Sequence, residues 1–142
     1  MIKIVKAKPE ESNEIRDFED TLWEEKHVTS RYDMVSFVTF GYVFLAKDEG
    51  KIIGAIIAMK TKNDEIRVTD WIVDEKYRRL GIGTKLYKKL FKETDGLNVI
   101  TYIKTDNIPS LESHKKLGFK KVKKVRDPYL SGKEKYYWLV KR

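Results

Sequence analysis

The amino-acid sequence predicts an α/β fold whose sheet mixes antiparallel and parallel strands. Short apolar segments of strand type alternate with segments whose apolar residues recur at helical spacing, in the order β-α-α-β-β-β-α-β-α-β-β. A helical segment also connects the strands predicted at residues 65–73 and 99–104. Such a crossover makes its two flanking strands parallel neighbours, whereas the strands before it form an antiparallel meander.

Two helices are predicted in the first third of the chain. Pro9 and the acidic residues after it favour a helix start, because proline fits the first turn and carboxylates interact well with the helix dipole. Apolar residues at helical spacing extend this helix over about residues 10–26, namely Ile15, Phe18, Leu22 and Trp23. Thr29 or Ser30 can cap a second helix, which ends at Gly41.

Strands account for most of the remaining chain, because their residues alternate or form short apolar runs between turn residues. They are predicted at residues 3–7, 42–47, 52–60, 65–73, 99–104, 119–125 and 135–140. Two further helices, at residues 83–94 and 108–117, are followed by glycine-containing turns. Residues 1–142 are expected to form a single domain.

Composition restricts the classes of function. The chain has 142 residues and no cysteine, which excludes disulfides, thiolate metal sites and a cysteine nucleophile. No apolar stretch is long enough to cross a bilayer, and the N-terminus lacks the apolar core of a signal peptide. We therefore expect a cytoplasmic protein without a membrane partner. A net charge of +8 favours anionic partners, although a solvated basic surface is the more ordinary explanation.

The most informative segment lies between a predicted strand and a helix. An apolar run ends at Val73, and a short basic turn with Arg78, Gly81 and Gly83 precedes the helix. Unpaired main-chain N–H groups and the helix dipole make such a turn an anion site, and Gly83 would let the backbone approach the anion closely. The spacing differs from that of phosphate loops and of dinucleotide folds. The pattern Arg-x-x-Gly-x-Gly therefore predicts a pyrophosphate held by backbone amides.

This turn resembles the pyrophosphate motif of the GNAT superfamily of acyl-CoA-dependent N-acyltransferases. The family pattern is Arg/Gln-x-x-Gly-x-Gly/Ala after a strand, and residues 73–83 fit it fully. A second family segment has an asparagine, a small residue and a short helix that ends in Lys-Leu-Gly-Phe, which residues 107–119 match. The resemblance is strongest over residues 70–119, and the element order agrees over nearly the whole chain.

The resemblance implies a GNAT-like, mostly antiparallel sheet that splays at its one parallel strand pair to bind acetyl-CoA as co-substrate, without a metal. No His, Asp and Glu cluster has metal-ligand spacing either. An amide-bearing pantetheine arm would pair with the strand end like an added strand. The residues implied to contact the coenzyme are Ile72, Val73, Arg78, Arg79, Gly81, Ile82, Gly83, Thr84, Asn107, Ser110 and His114.

Acyl transfer to an amine requires a group that stabilises the oxyanion and a general base. A backbone N–H near Val73 is the best oxyanion donor. Asp70 is the leading base because it lies on the strand that borders the implied gap, with Glu65 and Asp74 as weaker candidates. Asp70 can equally be an ordinary solvated strand residue, since a bulge would change the face it occupies.

His114 stands where most members of the family have a tyrosine. It can protonate the leaving thiolate, because imidazolium is a better acid than a phenol. It can instead form only a hydrogen bond with the coenzyme, or it can be a surface histidine without a role. Tyr102, on the neighbouring strand, is a substitute acid.

The acceptor is open between a small-molecule amine and a protein amine. By resemblance, the first two helices shape the acceptor pocket, where Glu24, Glu25 and Asp33 can attract a cation or simply be surface carboxylates. The alternative functions are a non-catalytic acyl-CoA sensor and a basic nucleic-acid-binding module. Nucleic acid is the less favoured partner because no recognition helix or stacking motif is visible. A homodimer is left open.

Overall fold

The structure is a computed structural model that describes residues 1–22 and 29–142. It is a mixed α/β fold, and the predicted element order is confirmed over these residues. The strands are β1 Ile2–Lys6, β2 Tyr42–Asp48, β3 Lys51–Lys60, β4 Ile66–Val73, β5 Val99–Lys104, β6 Lys120–Arg126 and β7 Tyr136–Lys141. The helices are α1 Ser12–Leu22, α2 Arg31–Phe40, α3 Ile82–Glu93 and α4 Ile108–Lys116. Trp23, Glu24 and Glu25, singled out in the sequence, lie outside the described residues.

The chain divides into two compact units. The first unit comprises residues 1–60 and 68–96, and the second comprises residues 61–67 and 97–142. In the first unit the strand order is β1-β2-β3-β4, with antiparallel pairing between β1 and β2 and between β2 and β3. No helix within residues 1–22 and 29–142 is long and apolar enough to cross a bilayer.

The second unit contains the parallel pairing that the crossover predicted. The first two residues of β4 pair with β5, Ile66 with Val99 and Arg67 with Ile100. β7 then pairs antiparallel with β5 on one side and with β6 on the other, so that β6 is the edge strand. The β6–β7 register shifts between Lys121 and Lys123, which marks a β-bulge.

Local sequence explains how α2 and the first hairpin are delimited. The Ser30 hydroxyl accepts a hydrogen bond from the Asp33 N–H at 3.0 Å and caps α2, as predicted. The helix ends at Gly41, whose N–H donates to the Phe37 carbonyl at 2.8 Å. Gly50 closes the turn between β2 and β3 with a φ of +82°, which favours glycine.

Alternate residues of β4 point to opposite faces of the sheet in the first unit. On one face, Ile72 joins an apolar cluster to which α1 and α2 contribute Ile15, Phe18, Met34 and Val38. On the other face, the Trp71 ring packs edge-on against Tyr87 of α3, with ring centroids 4.8 Å apart. The end of β4 is therefore held between helices on both sides.

α1 also buries a carboxyl group against β4. The Glu19 side chain is 1% exposed and the neighbouring Asp70 is 7% exposed. Burial, the hydrogen bond with Asp70 and repulsion from Asp70 and Asp20 raise the pKa of Glu19 to about 9, against a smaller opposing effect of Arg16. Glu19 is therefore protonated at neutral pH, beside the buried Asp70.

We expect the substitution Glu19→Gln to stabilise the protein at alkaline pH. Between the ordinary carboxyl pKa of 4.5 and about 9, the folded state binds more protons at this site than the unfolded state does. The contribution of Glu19 to stability therefore falls as the pH rises through this interval. Glutamine keeps a donor toward Asp70 and cannot ionise, so it removes the cost of burying a titrating group.

Thermal unfolding between pH 5 and pH 9 measures this effect. At pH 8.5 the Glu19→Gln variant should be more stable than the wild type by about 1 to 2 kcal/mol, or roughly 3–8 °C in Tm, and the difference should shrink toward pH 5. The exposed Glu14, on the same helix, provides the matched control Glu14→Gln, which should leave the pH dependence unchanged. Parallel pH profiles for wild type and Glu19→Gln would contradict a protonated Glu19.

Candidate active site

The turn between β4 and α3 presents a row of main-chain donors. The N–H groups of residues 79–84 form no hydrogen bond with another described residue. The next N–H along the helix, that of Lys85, donates to the Gly81 carbonyl at 3.0 Å. Residues 82–84 form the first turn of α3, where the helix dipole adds partial positive charge. Six consecutive unbonded donors at the end of a strand are an arrangement that suits an anion.

Two hydrogen bonds fix the segment that leads into this turn. The Asp74 N–H donates to the Ile53 carbonyl of β3 at 2.8 Å. The Tyr77 hydroxyl donates to Oδ2 of Asp48, at the end of β2, at 2.7 Å, and this bond lowers the pKa of the Asp48 carboxyl group. The turn therefore starts from a point attached to two neighbouring strands.

The backbone of the turn is left-handed at two residues. Arg79 has a φ of +67° and Gly81 a φ of +75°. A Cβ on Gly81 would meet no atom within 4 Å, so conformation and not space favours glycine at this position. Arg78 and Arg79 are both exposed, and they supply charge beside the amide row.

Gly83 is required for a reason that the sequence did not reveal. A Cβ at this position would lie 2.8 Å from Cζ2 of Trp71. The Trp71 Nε1–H also donates to the Gly83 carbonyl at 3.0 Å. The sequence predicted that Gly83 lets the backbone approach an anion, and the structure offers a second explanation for the glycine. A larger residue here would clash with the Trp71 indole whether or not a ligand is bound.

The last residues of β4 point their main-chain groups in opposite directions. Since the Asp74 N–H faces β3, the alternation of a strand directs the main-chain groups of Val73 away from β3. The Val73 carbonyl accepts a hydrogen bond from Nε of Arg78 at 3.2 Å. The Ile72 carbonyl lies on the side of β3, against Gly54. Ile72 and Val73 were both predicted to pair with a ligand through their main chains. The main-chain groups of Val73 point away from β3, whereas the Ile72 carbonyl points toward it.

The start of α4 is organised by the second predicted segment. Oδ1 of Asn107 accepts a hydrogen bond from the Ser110 N–H at 3.3 Å and caps the helix. The Ser110 hydroxyl lies 3.3 Å from Nδ1 of His114, one turn further along. Asn107 and Ser110 therefore both have structural functions within the second unit.

His114 is buried, with 3% of its surface exposed, and its ring packs edge-on against Phe119 at 5.0 Å. Its Nδ1 lies 2.7 Å from the Ser110 carbonyl, and because a carbonyl only accepts, Nδ1 carries the hydrogen. Burial lowers the pKa of His114, against a smaller opposing effect of this hydrogen bond. The neutral ring then presents Nε2 as an acceptor, which does not favour proton donation to a thiolate.

The remaining candidates for acid or base are engaged elsewhere. Glu65 forms an ion pair with Lys141 at 2.9 Å, and Asp74 accepts a hydrogen bond from the Lys76 N–H at 3.0 Å. The Tyr102 ring lies under the Arg67 guanidinium at 4.9 Å, in a cluster with Tyr129 and Tyr137. Asp70, in contrast, is buried beside Glu19, so it is not a solvated strand residue.

Sequence reasoning missed Glu19, although a signal was present. Glu19 follows Ile15 by four residues and Phe18 by one, which places it on the apolar face of α1. An ionisable residue at such a position needs a partner or a raised pKa. The identity of that partner, Asp70, is not visible in the sequence.

Comparisons with known proteins agree with this geometry. Residues 9–119 match the model of the Acetyltransferase (GNAT) family. An N-alpha-acetyltransferase of Sulfurisphaera tokodaii is 33% identical over 108 residues. That match covers 66% of this chain and 65% of the relative, which is just under two thirds of the relative's length.

Two solved structures from Arabidopsis thaliana share the fold. NAA60 in complex with a bisubstrate analogue has a TM-score of 0.84 at 16% identity, covering 100% of this chain and 97% of that one. Naa50 in complex with the bisubstrate analogue CoA-Ac-MVNAL has a TM-score of 0.80 at 16% identity, covering 99% and 97%. With a family match over most of its length and with this fold, the chain belongs to the acetyltransferase (GNAT) family.

Proposed function

We propose that this protein transfers the acetyl group of acetyl-CoA to a primary amine by direct attack in a ternary complex. The observation that carries the proposal is the row of unbonded amide N–H groups at residues 79–84. These donors suit the pyrophosphate of coenzyme A, because backbone amides at a helix start bind phosphates without needing charged side chains. Membership of the family supports the same assignment.

We further propose that the acceptor is the α-amino group of a polypeptide. The Sulfurisphaera relative is an N-alpha-acetyltransferase, and the Naa50 structure holds an analogue in which coenzyme A is joined to a peptide. Glu19 and Asp70 add a chemical reason, since the oxygens of buried carboxyl groups accept hydrogen bonds from an amine. A cytoplasmic location and a homodimer stay predictions.

In the proposed reaction the neutral amine attacks the thioester carbonyl. The C–N bond forms, the C–S bond breaks, and the proton leaves the amine nitrogen for Asp70, directly or through one water. The N–H of Val73 stabilises the oxyanion, because the main chain of this residue points away from β3. Solvent returns a proton to the thiolate, so no covalent enzyme intermediate and no cysteine are required.

His114 has a positioning function in this proposal. Its Nδ1–H holds the Ser110 carbonyl and its ring packs on Phe119, so it stabilises the first turns of α4. The family resemblance leads us to expect that Asn107 and Ser110, at the start of the same helix, contact the coenzyme. His114 would then support both residues by stabilising the start of α4.

Replacing Thr84 by proline should weaken acetyl-CoA binding about tenfold or more. Thr84 is exposed, its N–H is unbonded, and proline is tolerated in the first turn of a helix, so the change removes one donor. Thr84→Ala is the matched control, because it removes the hydroxyl and keeps the N–H. Calorimetric titration with acetyl-CoA measures both variants, and equal affinities for Thr84→Pro and Thr84→Ala would argue against amide binding of the pyrophosphate.

Release of free coenzyme A thiol should depend on a free peptide N-terminus. We expect thiol release with a short peptide that has a free α-amine, and none with the same peptide blocked at its N-terminus and carrying a lysine. Asp70→Asn should lower turnover by about 10² with unchanged acetyl-CoA affinity if Asp70 is the base. Release with the blocked peptide alone would exclude an α-amine acceptor, and binding of acetyl-CoA without any release would indicate a sensor.

Two substitutions of His114 separate positioning from acid catalysis. Asparagine places an amide donor near the position of Nδ1, whereas phenylalanine keeps the ring shape without a donor. A positioning function predicts that His114→Asn keeps turnover within about threefold with an unchanged pH profile, and that His114→Phe mainly loses stability, by about 1 kcal/mol. Loss of turnover by about 10² in both variants, with acetyl-CoA still bound, would establish His114 as the acid.

A further inference from the structure

The net charge of the chain lies entirely in its second unit. The first unit, residues 1–60 and 68–96, contains 16 basic and 16 acidic residues. The second unit, residues 61–67 and 97–142, contains 14 basic and 6 acidic residues, which gives the whole +8 of the chain. This division follows contacts between residues and not their order in the sequence. The charge is therefore concentrated on one part of the molecule, as expected for a surface that binds a polyanion.

The charge is densest on the edge strand β6. Five of its seven residues are basic, and we call them the basic edge: Lys120, Lys121, Lys123, Lys124 and Arg126. All five are exposed, and no strand within residues 1–22 and 29–142 covers the outer side of β6. Lys115 and Lys116, in the last turn of α4, are exposed shortly before this strand. The basic edge is therefore accessible along the whole length of the strand.

The four lysines of the basic edge have no acidic partner in the part of the chain that the structure describes. None of them forms an ion pair with a residue in the described ranges 1–22 and 29–142. Lys121 lies over the Trp138 ring at 4.7 Å and Lys124 over the Tyr136 ring at 5.0 Å. These contacts orient two of the ammonium groups without neutralising them. The charge of the basic edge is therefore available to an external anion.

The register with β7 distributes the basic side chains over both faces of the strand. Lys121 and Lys124 pair with Val140 and Trp138, whereas Lys123 pairs with Leu139, which lies on the opposite face. Lys120 pairs with Lys141 and belongs to the face of Lys123. An anion that follows the edge of the sheet meets charge from both faces.

We propose that the basic edge binds the phosphate backbone of a nucleic acid. Both faces of β6 carry basic side chains along the strand, so β6 offers a row of cations to a polymer with one negative charge per nucleotide. The interaction is electrostatic and independent of base sequence, because phosphates carry the contacts. This proposal revises the expectation from sequence that disfavoured a nucleic acid, and it does not depend on acyl transfer.

A flexible polyanion fits this surface better than a membrane does. A flat bilayer meets one face of a strand, whereas the basic edge divides its charge between two. Membrane binding also requires an apolar anchor beside the charge, and among the residues of β6 only Val122 is an exposed apolar side chain. Binding of an acidic protein through strand pairing is disfavoured by the bulge at Lys121 and Lys123.

The experiment measures fluorescence anisotropy of a labelled single-stranded 20-nucleotide RNA, about the length needed to cover several sites, with the full chain. The wild type should bind with a log–log salt slope of about −3, since each neutralised phosphate of a single strand contributes about −0.7. The quadruple variant replaces four lysines of the basic edge with glutamine: Lys120, Lys121, Lys123 and Lys124. Its affinity for the RNA should fall at least tenfold, and its log–log salt slope should lie close to zero. The matched control changes Lys3, Lys6, Lys8 and Lys51, four exposed lysines of the first unit, to glutamine and should bind as the wild type does.

Every outcome decides the proposal. Equal weakening in both quadruple variants would overturn it, because net charge and not the basic edge would then be responsible. Co-sedimentation with phosphatidylserine vesicles in the absence of RNA binding would overturn it in favour of a membrane surface. Absence of RNA binding by the wild type would also overturn it, and the lysines would then serve to prevent pairing of β6 with a strand of another molecule. Tm measurements confirm that both variants fold, and the salt slope of the wild type tests the proposal without any variant.

Discussion

The contact between Trp71 and Gly83 is the constraint on which the candidate site depends. The indole N–H holds the Gly83 carbonyl at 3.0 Å, and the absence of a Cβ at Gly83 lets the ring lie against the helix start. This contact places the first turn of α3 directly at the end of β4. The unbonded amides of residues 79–84 and the outward main chain of Val73 then lie in the same corner between β4 and α3. A fixed position matters for an anion site made of backbone groups, because its donors cannot adjust individually as side chains do.

Electrostatics act on two different scales in this protein. In the first unit the charges balance, and the important feature is the buried pair of carboxyl groups, Glu19 and Asp70. Burial and repulsion from Asp70 raise the pKa of Glu19 to about 9, which keeps this carboxyl group protonated at neutral pH. In the second unit the charges do not balance, and exposed lysines on β6 create a field that salt screens. The first arrangement suits proton transfer with an amine, and the second suits association with a long polyanion.

Much of the fold could be predicted because its signals are local. The spacing of apolar residues predicted the helices and strands. The cap of α2 at Ser30 and its end at Gly41 followed from residue types alone. Boundaries moved by one or two residues, as at α3, which starts at Ile82 where the sequence indicated Gly83. Such differences arise because the last residues of an element depend on tertiary contacts more than on propensity. His114 shows what a sequence motif cannot predict. The motif indicates the position of His114 in the segment, whereas its burial and its tautomer depend on packing against Ser110 and Phe119.

The element order, the Arg-x-x-Gly-x-Gly turn and the family resemblance follow from the amino-acid sequence alone, because each depends on residues that are close together in the chain. Gly81 adopts its left-handed conformation within that turn, so a short motif suffices to specify it. Three properties come from the packing of the folded chain: Gly83 accommodates Trp71, Glu19 lies beside Asp70, and the net charge belongs to one unit. These properties depend on distances between residues far apart in sequence, and burial, pKa and surface charge exist only after the chain has folded.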